Sequence, residues 1–184
     1  PFWAKPPLFA WLSAASMAVF GINEWAIRLP SLILSMGVAW LVFLTLRREK
    51  ANTLEAHHAV LILSTGIGFF VTSGTVMTDT ALLFSTTLSL LGFWLFQTSQ
   101  EKIWGYCFFA GLGLGLLAKG PLAWVLVGGP LFIYITWQRS WIATLKSLPW
   151  LGGITLAAII PGIWYVTAEL KTPGFLNYFI MGEH

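Results

Sequence analysis

Six stretches without a charged residue occupy most of the chain: residues 29–46, 59–78, 80–100, 103–118, 120–138 and 147–168, of 18, 20, 21, 16, 19 and 22 residues. A helix needs roughly 20 mostly apolar residues to cross the hydrocarbon of a bilayer. Each run approaches or exceeds that length, so a water-soluble globule is excluded. Composition agrees, because charged residues make up 9% of the 184 positions against about 25% in a soluble domain. The expected fold is all-α: a polytopic membrane protein with about six transmembrane helices.

Other function classes fall away on simple grounds. Cys107 is the one cysteine and sits inside an apolar run, so there is neither a disulfide framework nor a multi-cysteine metal site. The net charge of +3 is small, and the basic residues occupy short connections instead of one patch, so no nucleic-acid partner is expected. The chain opens at Pro1 without an initiator Met or signal peptide and closes at His184 in an aromatic segment. It therefore reads as a piece of a longer protein.

Assigning the polar connections to alternate sides puts Arg47, Arg48, Lys50, Lys102, Arg139 and Lys146 on one face. The other face carries Arg28, Lys119, Lys171 and, if the first apolar segment does not cross, Lys5. By the positive-inside rule the first face is cytoplasmic. Segment 6–23 is ambiguous. It opens with Pro6 and Pro7, and its compact apolar stretch 8–20 has the 13-residue length of a re-entrant or interfacial helix, yet a crossing would improve the charge balance. Trp3, Trp25, Trp104, Trp137, Trp141 and Trp150 fall near span ends, as interfacial aromatic belts do. Gly111 and Gly115 form a small-xxx-small pair for close helix packing. The GLGLG run is no dinucleotide fingerprint, and GLLAKGP inverts the order of a phosphate-binding loop.

Four places on the second face put charge where hydrocarbon meets water. Lys5 precedes Pro6 and Pro7, which fix φ and suit a helix start, so its ammonium would be held ahead of the first turn. Snorkelling to lipid headgroups is the simpler account of Lys5. Thr78 and Asp79 lie in the connection 74–80, where either can cap the next helix. Lys119 ends one run and Pro121 opens the next, a tight turn in which a cation is costly unless it meets an anion or reaches water. The stretch 173–184 is aromatic, includes Tyr178, and ends in the metal-capable pair Glu183 and His184. Two ligands do not make a site. His57 and His58, beside Glu55, read as loop and helix-start residues.

In order, KPPLFAWLSAASMAVFGINEWAIRLPS, MTDT, LLAKGPL and PGFLNYFIMGEH resemble the bacterial branch of the GT-C membrane glycosyltransferases. That branch is related to the protein O-mannosyltransferases and includes the lipid A 4-amino-4-deoxy-L-arabinose transferases. The resemblance covers essentially the whole chain. It implies a glycosyltransferase that moves a sugar from a polyprenyl-phosphate donor to a lipid or protein acceptor, with inversion, at the outer face of the cytoplasmic (inner) membrane. It also implies one GT-C-like domain, with 1–28 an external juxtamembrane segment, 29–168 six spans and 169–184 the start of an external segment.

The same resemblance distributes roles. Lys5 is matched to a lysine that binds the donor phosphate, and Arg28 and Lys119 are grouped with it. Asp79, Pro6, Pro7 and Tyr178 are expected to line or support the cavity. The family's catalytic Asp lies upstream of KPPL, so no catalytic residue is assigned here. In the aminoarabinose transferases a Glu before the KPPL lysine holds zinc with a histidine matched by His184, but this chain has Ala4 at that position. No cofactor is assigned, and a divalent metal at His184 stands only as an alternative. Expected partners are a polyprenyl-phosphate-linked sugar, a lipid or protein acceptor and membrane lipids. A transporter or flippase, in which Lys5, Asp79 and Lys119 line a substrate path, and a non-catalytic lipid-linked-sugar-binding relative remain as alternatives.

Overall fold

The computed structural model describes residues 6–139 and 141–182. Among them the regular structure is entirely helical: α1 (Leu8–Phe20), α2 (Glu24–Arg48), α3 (Thr53–Thr65), α4 (Ile67–Gly74), α5 (Thr78–Ser99), α6 (Lys102–Lys119), α7 (Leu122–Gln138), α8 (Trp141–Ser147), α9 (Trp150–Lys171) and α10 (Phe175–Gly182). By length and apolarity α2, α5 and α9 can each cross a membrane, and α3 with α4 makes a fourth span if the bent pair counts as one. α6 has 18 residues with a lysine at each end, and α7 has 17.

The ambiguous first segment is a 13-residue helix, with Pro7 in its N-cap position. α1 stops at Gly21, whose φ of +80° suits glycine. Asn23 then joins α1 to α2. Its Nδ2 donates to the carbonyls of Phe20 (2.9 Å) and Gly21 (3.3 Å), and its Oδ1 accepts from Ala26 N at 2.8 Å. The cap, and not the first residue of the apolar run, sets where helical hydrogen bonding begins. α2 therefore starts at Glu24 instead of near residue 29.

The run 59–78 is not one straight helix. α3 opens with a capping box in which Asn52 and Glu55 satisfy each other's backbone N–H groups, and it meets α4 at an angle of 71°. At the break Gly66 is extended (φ −61°, ψ 123°), and the Thr65 hydroxyl donates back to Leu61 O at 2.9 Å and Ile62 O at 3.1 Å. One extended residue is enough to end an i→i−4 ladder. The connection 139–146 is largely helical, because α8 begins at Trp141 and runs to Ser147, one residue into the next uncharged run.

The core is an antiparallel hairpin of α5 and α6, flanked by α2, α7 and α9. A Cβ at Gly92 would lie 2.9 Å from Phe108 N, one at Gly111 2.6 Å from Ser85 O, and one at Gly115 2.6 Å from Ala123 Cβ. Gly113 faces the backbone of Ala157 on α9. The glycines of α6 thus meet three different helices. Phe93, Phe96, Trp104, Phe108 and Phe109 fill the space beside this seam. Trp104 is buried there and donates to Glu101 at 3.1 Å, so it belongs to the core and not to an interfacial belt.

Polar contacts mark one end of the bundle. Arg48 pairs with Glu101 at 2.8 Å and lies 5.7 Å from the Trp104 ring centroid, while Trp94 donates to Glu49 at 3.0 Å. These contacts join the end of α2 to α5, to the α5–α6 turn and to the start of α6. His57, at the start of α3, bonds Thr53 O at 2.6 Å and packs edge-on against Phe43.

In the full-length protein, Gly111→Val should lower stability by about 1–3 kcal/mol through overpacking, read as a fall in melting temperature of the solubilised protein. Gly128→Ala, with nothing within 4 Å of its new methyl, serves as the control and should be neutral or slightly stabilising. Equal melting temperatures for wild type and Gly111→Val would show that the α5–α6 seam is looser than described.

Candidate functional site

At the opposite end, helix termini converge. Phe9 of α1, Ala81 and Leu82 of α5, Ala118 of α6 and Ala123 of α7 form one buried apolar cluster, with Leu8 and Leu34 packed against it. Small residues at positions 81, 118 and 123 let four backbones meet closely. Tyr165 of α9 adds a fifth helix by donating to Leu116 O at 3.1 Å.

An ion pair lies at this end of the bundle. Lys119 Nζ donates to Asp79 Oδ1, joining the last residue of α6 to the first turn of α5 across 40 positions of sequence. Their side chains are 28% and 41% exposed respectively. Each charge also complements its own helix, a carboxylate at an N-terminus and an ammonium at a C-terminus. The turn that follows is tight because Gly120 adopts φ +71° and Pro121 occupies the N-cap of α7. The anion that Lys119 requires is therefore Asp79. Neither Thr78 nor Asp79 is the N-cap of α5: Met77 holds that position without a side-chain hydrogen bond.

The connection between α4 and α5 is fastened along its length. Arg28 reaches Gly74 O at 3.3 Å, the Ser31 hydroxyl donates to Thr75 O at 2.6 Å, and Thr80 donates to Thr72 O at 3.0 Å. Ser31 and Thr80 are fully buried, and both were missed in the sequence, where a small hydroxyl on an apolar helix looks like a spacer. Arg28 and Lys119 bracket this connection. Arg28 lines a groove of about 400 Å³ with Glu24, Trp25, Leu29, Leu32, Ser73 and Gly74, and neither Asp79 nor Lys119 is among its lining residues.

At the end of α9, Glu169 accepts hydrogen bonds from Gly174 N and Leu176 N, both at 2.8 Å, and so fixes the turn into α10. Gly174 has φ +92°. Phe175 and Phe179 are buried beside Trp164 and Tyr165. The signal for this arrangement was a carboxylate placed just before a Pro-Gly turn. Tyr178 falls on α10. Pro6 is buried ahead of α1, whereas Ala4, Lys5, Glu183 and His184 lie outside the described residues. Among the described residues no group of three or more His, Cys, Asp or Glu could hold a metal.

Three comparisons bear on this geometry. The family model described as dolichyl-phosphate-mannose-protein mannosyltransferase matches residues 1–179. An undecaprenyl phosphate-alpha-4-amino-4-deoxy-L-arabinose arabinosyl transferase of Pseudomonas savastanoi pv. phaseolicola is 29% identical over 188 residues, covering 100% of this chain and 34% of that protein. An uncharacterized protein of Aquifex aeolicus is 34% identical over 179 residues, covering 95% of this chain and 38% of its own length. In structure, the chain is similar to ArnT from Cupriavidus metallidurans bound to undecaprenyl phosphate. The TM-score is 0.94 and the identity 22%, over 100% of this chain and 34% of that one, a likeness of fold. The chain thus spans about a third of the length of these relatives.

A double-mutant cycle on Asp79→Asn and Lys119→Gln in the full-length protein should give a coupling of about 0.5–1 kcal/mol, the range for a partly exposed pair. Thermal unfolding of the four proteins measures it. Strict additivity would mean that the pair is separated by solvent.

Proposed function

The chain belongs to the dolichyl-phosphate-mannose-protein mannosyltransferase family, and on that premise we propose that it is part of the membrane domain of a polyprenyl-phosphate-dependent glycosyltransferase. The enzyme moves a sugar to a lipid or protein acceptor at the outer face of the cytoplasmic membrane, with inversion. The observation that carries this reading is the Asp79–Lys119 pair, set where the starts of α1, α5 and α7 meet the end of α6.

The chemistry asks for such a device. The bond between the anomeric carbon and the phosphate oxygen breaks, its electrons stay on the departing lipid phosphate, and the acceptor oxygen bonds the opposite face of the sugar while losing its proton. A cation already in position at a low-dielectric boundary stabilises the growing phosphate charge better than water does. Lysine suits this task as a point charge with three donors. Asp79 engages one N–H of Lys119 and holds the ammonium in place before any donor arrives. In this reading Lys5, next to the buried Pro6, supplies a second cation. The acceptor needs a base, and Asp79 is not given that role because Lys119 already occupies it. Arg28, on its own groove, is left out of the donor site.

Sidedness follows from charge. The end holding Arg48 and Lys102 is the richer in basic residues, so the Asp79–Lys119 end is outside. A transporter would carry charge near mid-membrane, whereas the charged residues of the described helices fall at or near helix ends. A non-catalytic relative would bind the donor without turnover.

In the full-length protein, Lys5→Ala and Lys119→Ala should each insert normally and lower turnover by roughly 10²–10³, the size of one lost preorganised contact. Near-normal turnover in both would remove the phosphate role. In a cysteine-free background of the full-length protein that includes Cys107→Ala, Lys5→Cys, Asp79→Cys and Lys119→Cys should all react with an impermeant thiol reagent from outside. Labelling of any one only from the cytoplasm would break the shared-site reading.

A further inference from the structure

We propose that the groove between the start of α2 and the end of α4 binds a membrane phospholipid with a zwitterionic, primary-amine headgroup, a phosphatidylethanolamine, with Arg28 on its phosphate and Glu24 on its ammonium. This does not depend on the glycosyltransferase reading, because neither Asp79 nor Lys119 lines the groove.

Charge complementarity carries the proposal. Glu24 and Arg28 sit one helical turn apart on α2, with carboxylate and guanidinium 4.0 Å from each other. The Arg28 side chain is 54% exposed, and its bond to Gly74 O is long at 3.3 Å. An exposed pair at this separation contributes little to stability, so both groups are available to a ligand that carries the opposite charges close together. Phosphoethanolamine is such a ligand. Its phosphate accepts from the guanidinium fork in the geometry arginine favours, and its ammonium donates to the carboxylate.

The wall changes character along the helix axis as a lipid does. Glu24, Trp25 and Arg28 form the polar end, with Trp25 81% exposed where an interfacial tryptophan belongs. Leu29 and Leu32 continue the same wall about 1.5 and 6 Å beyond Arg28 along the axis, at 1.5 Å per residue. That is where a glycerol backbone and the first acyl carbons would lie. Ser73 and Gly74 of α4 close the other side. The charge pair also discriminates among headgroups. A choline offers Glu24 no N–H, and an anionic glycerol headgroup would leave the carboxylate facing a net negative ligand.

Native mass spectrometry of the detergent-solubilised full-length protein, titrated with dioleoyl phosphatidylethanolamine, phosphatidylcholine and phosphatidylglycerol, tests the assignment. Phosphatidylethanolamine should be retained roughly tenfold better than the other two, the factor expected for one charge-assisted hydrogen bond. Arg28→Gln should weaken all three lipids, and Glu24→Gln should abolish the preference for ethanolamine over choline. Leu32→Trp blocks the apolar wall without touching a charge and should weaken retention if the acyl chain lies there. It keeps the test open should Arg28→Gln fail to fold. Preferential binding of phosphatidylglycerol, or unchanged ethanolamine preference in Glu24→Gln, would overturn the proposal. Free phosphoethanolamine binding as tightly as the lipid would overturn it too.

Discussion

The close approach of α5 and α6 fixes the end of the bundle that holds Asp79 and Lys119. Inside a membrane there is little hydrophobic force between helices, so association depends on packing density and a few interhelical hydrogen bonds. Here Ser85, Ser89 and Gly92 face Gly111, Gly115 and the backbone of Phe108, and the Ser89 hydroxyl donates to Phe108 O at 3.0 Å. Facing positions step outward from the 99–102 turn in matched pairs: Gly92 with Phe108, Ser89 with Gly111, and finally Asp79 with Lys119. A slip of one residue in either helix would turn its side chains by about 100° and part that ion pair. The seam therefore acts as a ruler, and the charge pair is its reading.

The same helix organises its neighbours. α6 presents Gly111 to α5, Gly113 to α9 and Gly115 to α7, so three helices are indexed against one backbone. At the far end the Arg48–Glu101 pair and the Glu49–Trp94 bond tie α2 to the α5–α6 turn. With both ends of α2 tied, through Arg48 and through Ser31, the connection between α4 and α5 is held although α4 contributes no buried residue of its own.

This arrangement explains how a chain so poor in charge can hold charge at one end of its helix bundle. A lone lysine at the hydrocarbon boundary would snorkel and wander. Lys119 is instead paired, positioned and electrically balanced by Asp79, with a quarter of its side chain still reachable. Arg28 is a different kind of cation, half exposed and beside a carboxylate, on a groove with Trp25 and Leu32. The same end of the bundle thus carries two differently built cationic positions.

The amino-acid order alone determined the class of the molecule. Runs of uncharged residues dictate membrane helices, and Pro6, Pro7 and Pro121 lie where helices start, because capping and apolar length are local properties. It also delivered Asp79 and Lys119 as residues that charge alone makes conspicuous. Tertiary structure decided what those residues meet. That Asp79 meets Lys119 instead of capping α5, that Trp104 turns inward, and that Arg28 lies against Gly74 of α4 all depend on contacts between helices. The physical reason is one of range: composition acts over a few residues, whereas a partner 40 positions away is selected by the packing register of two helices.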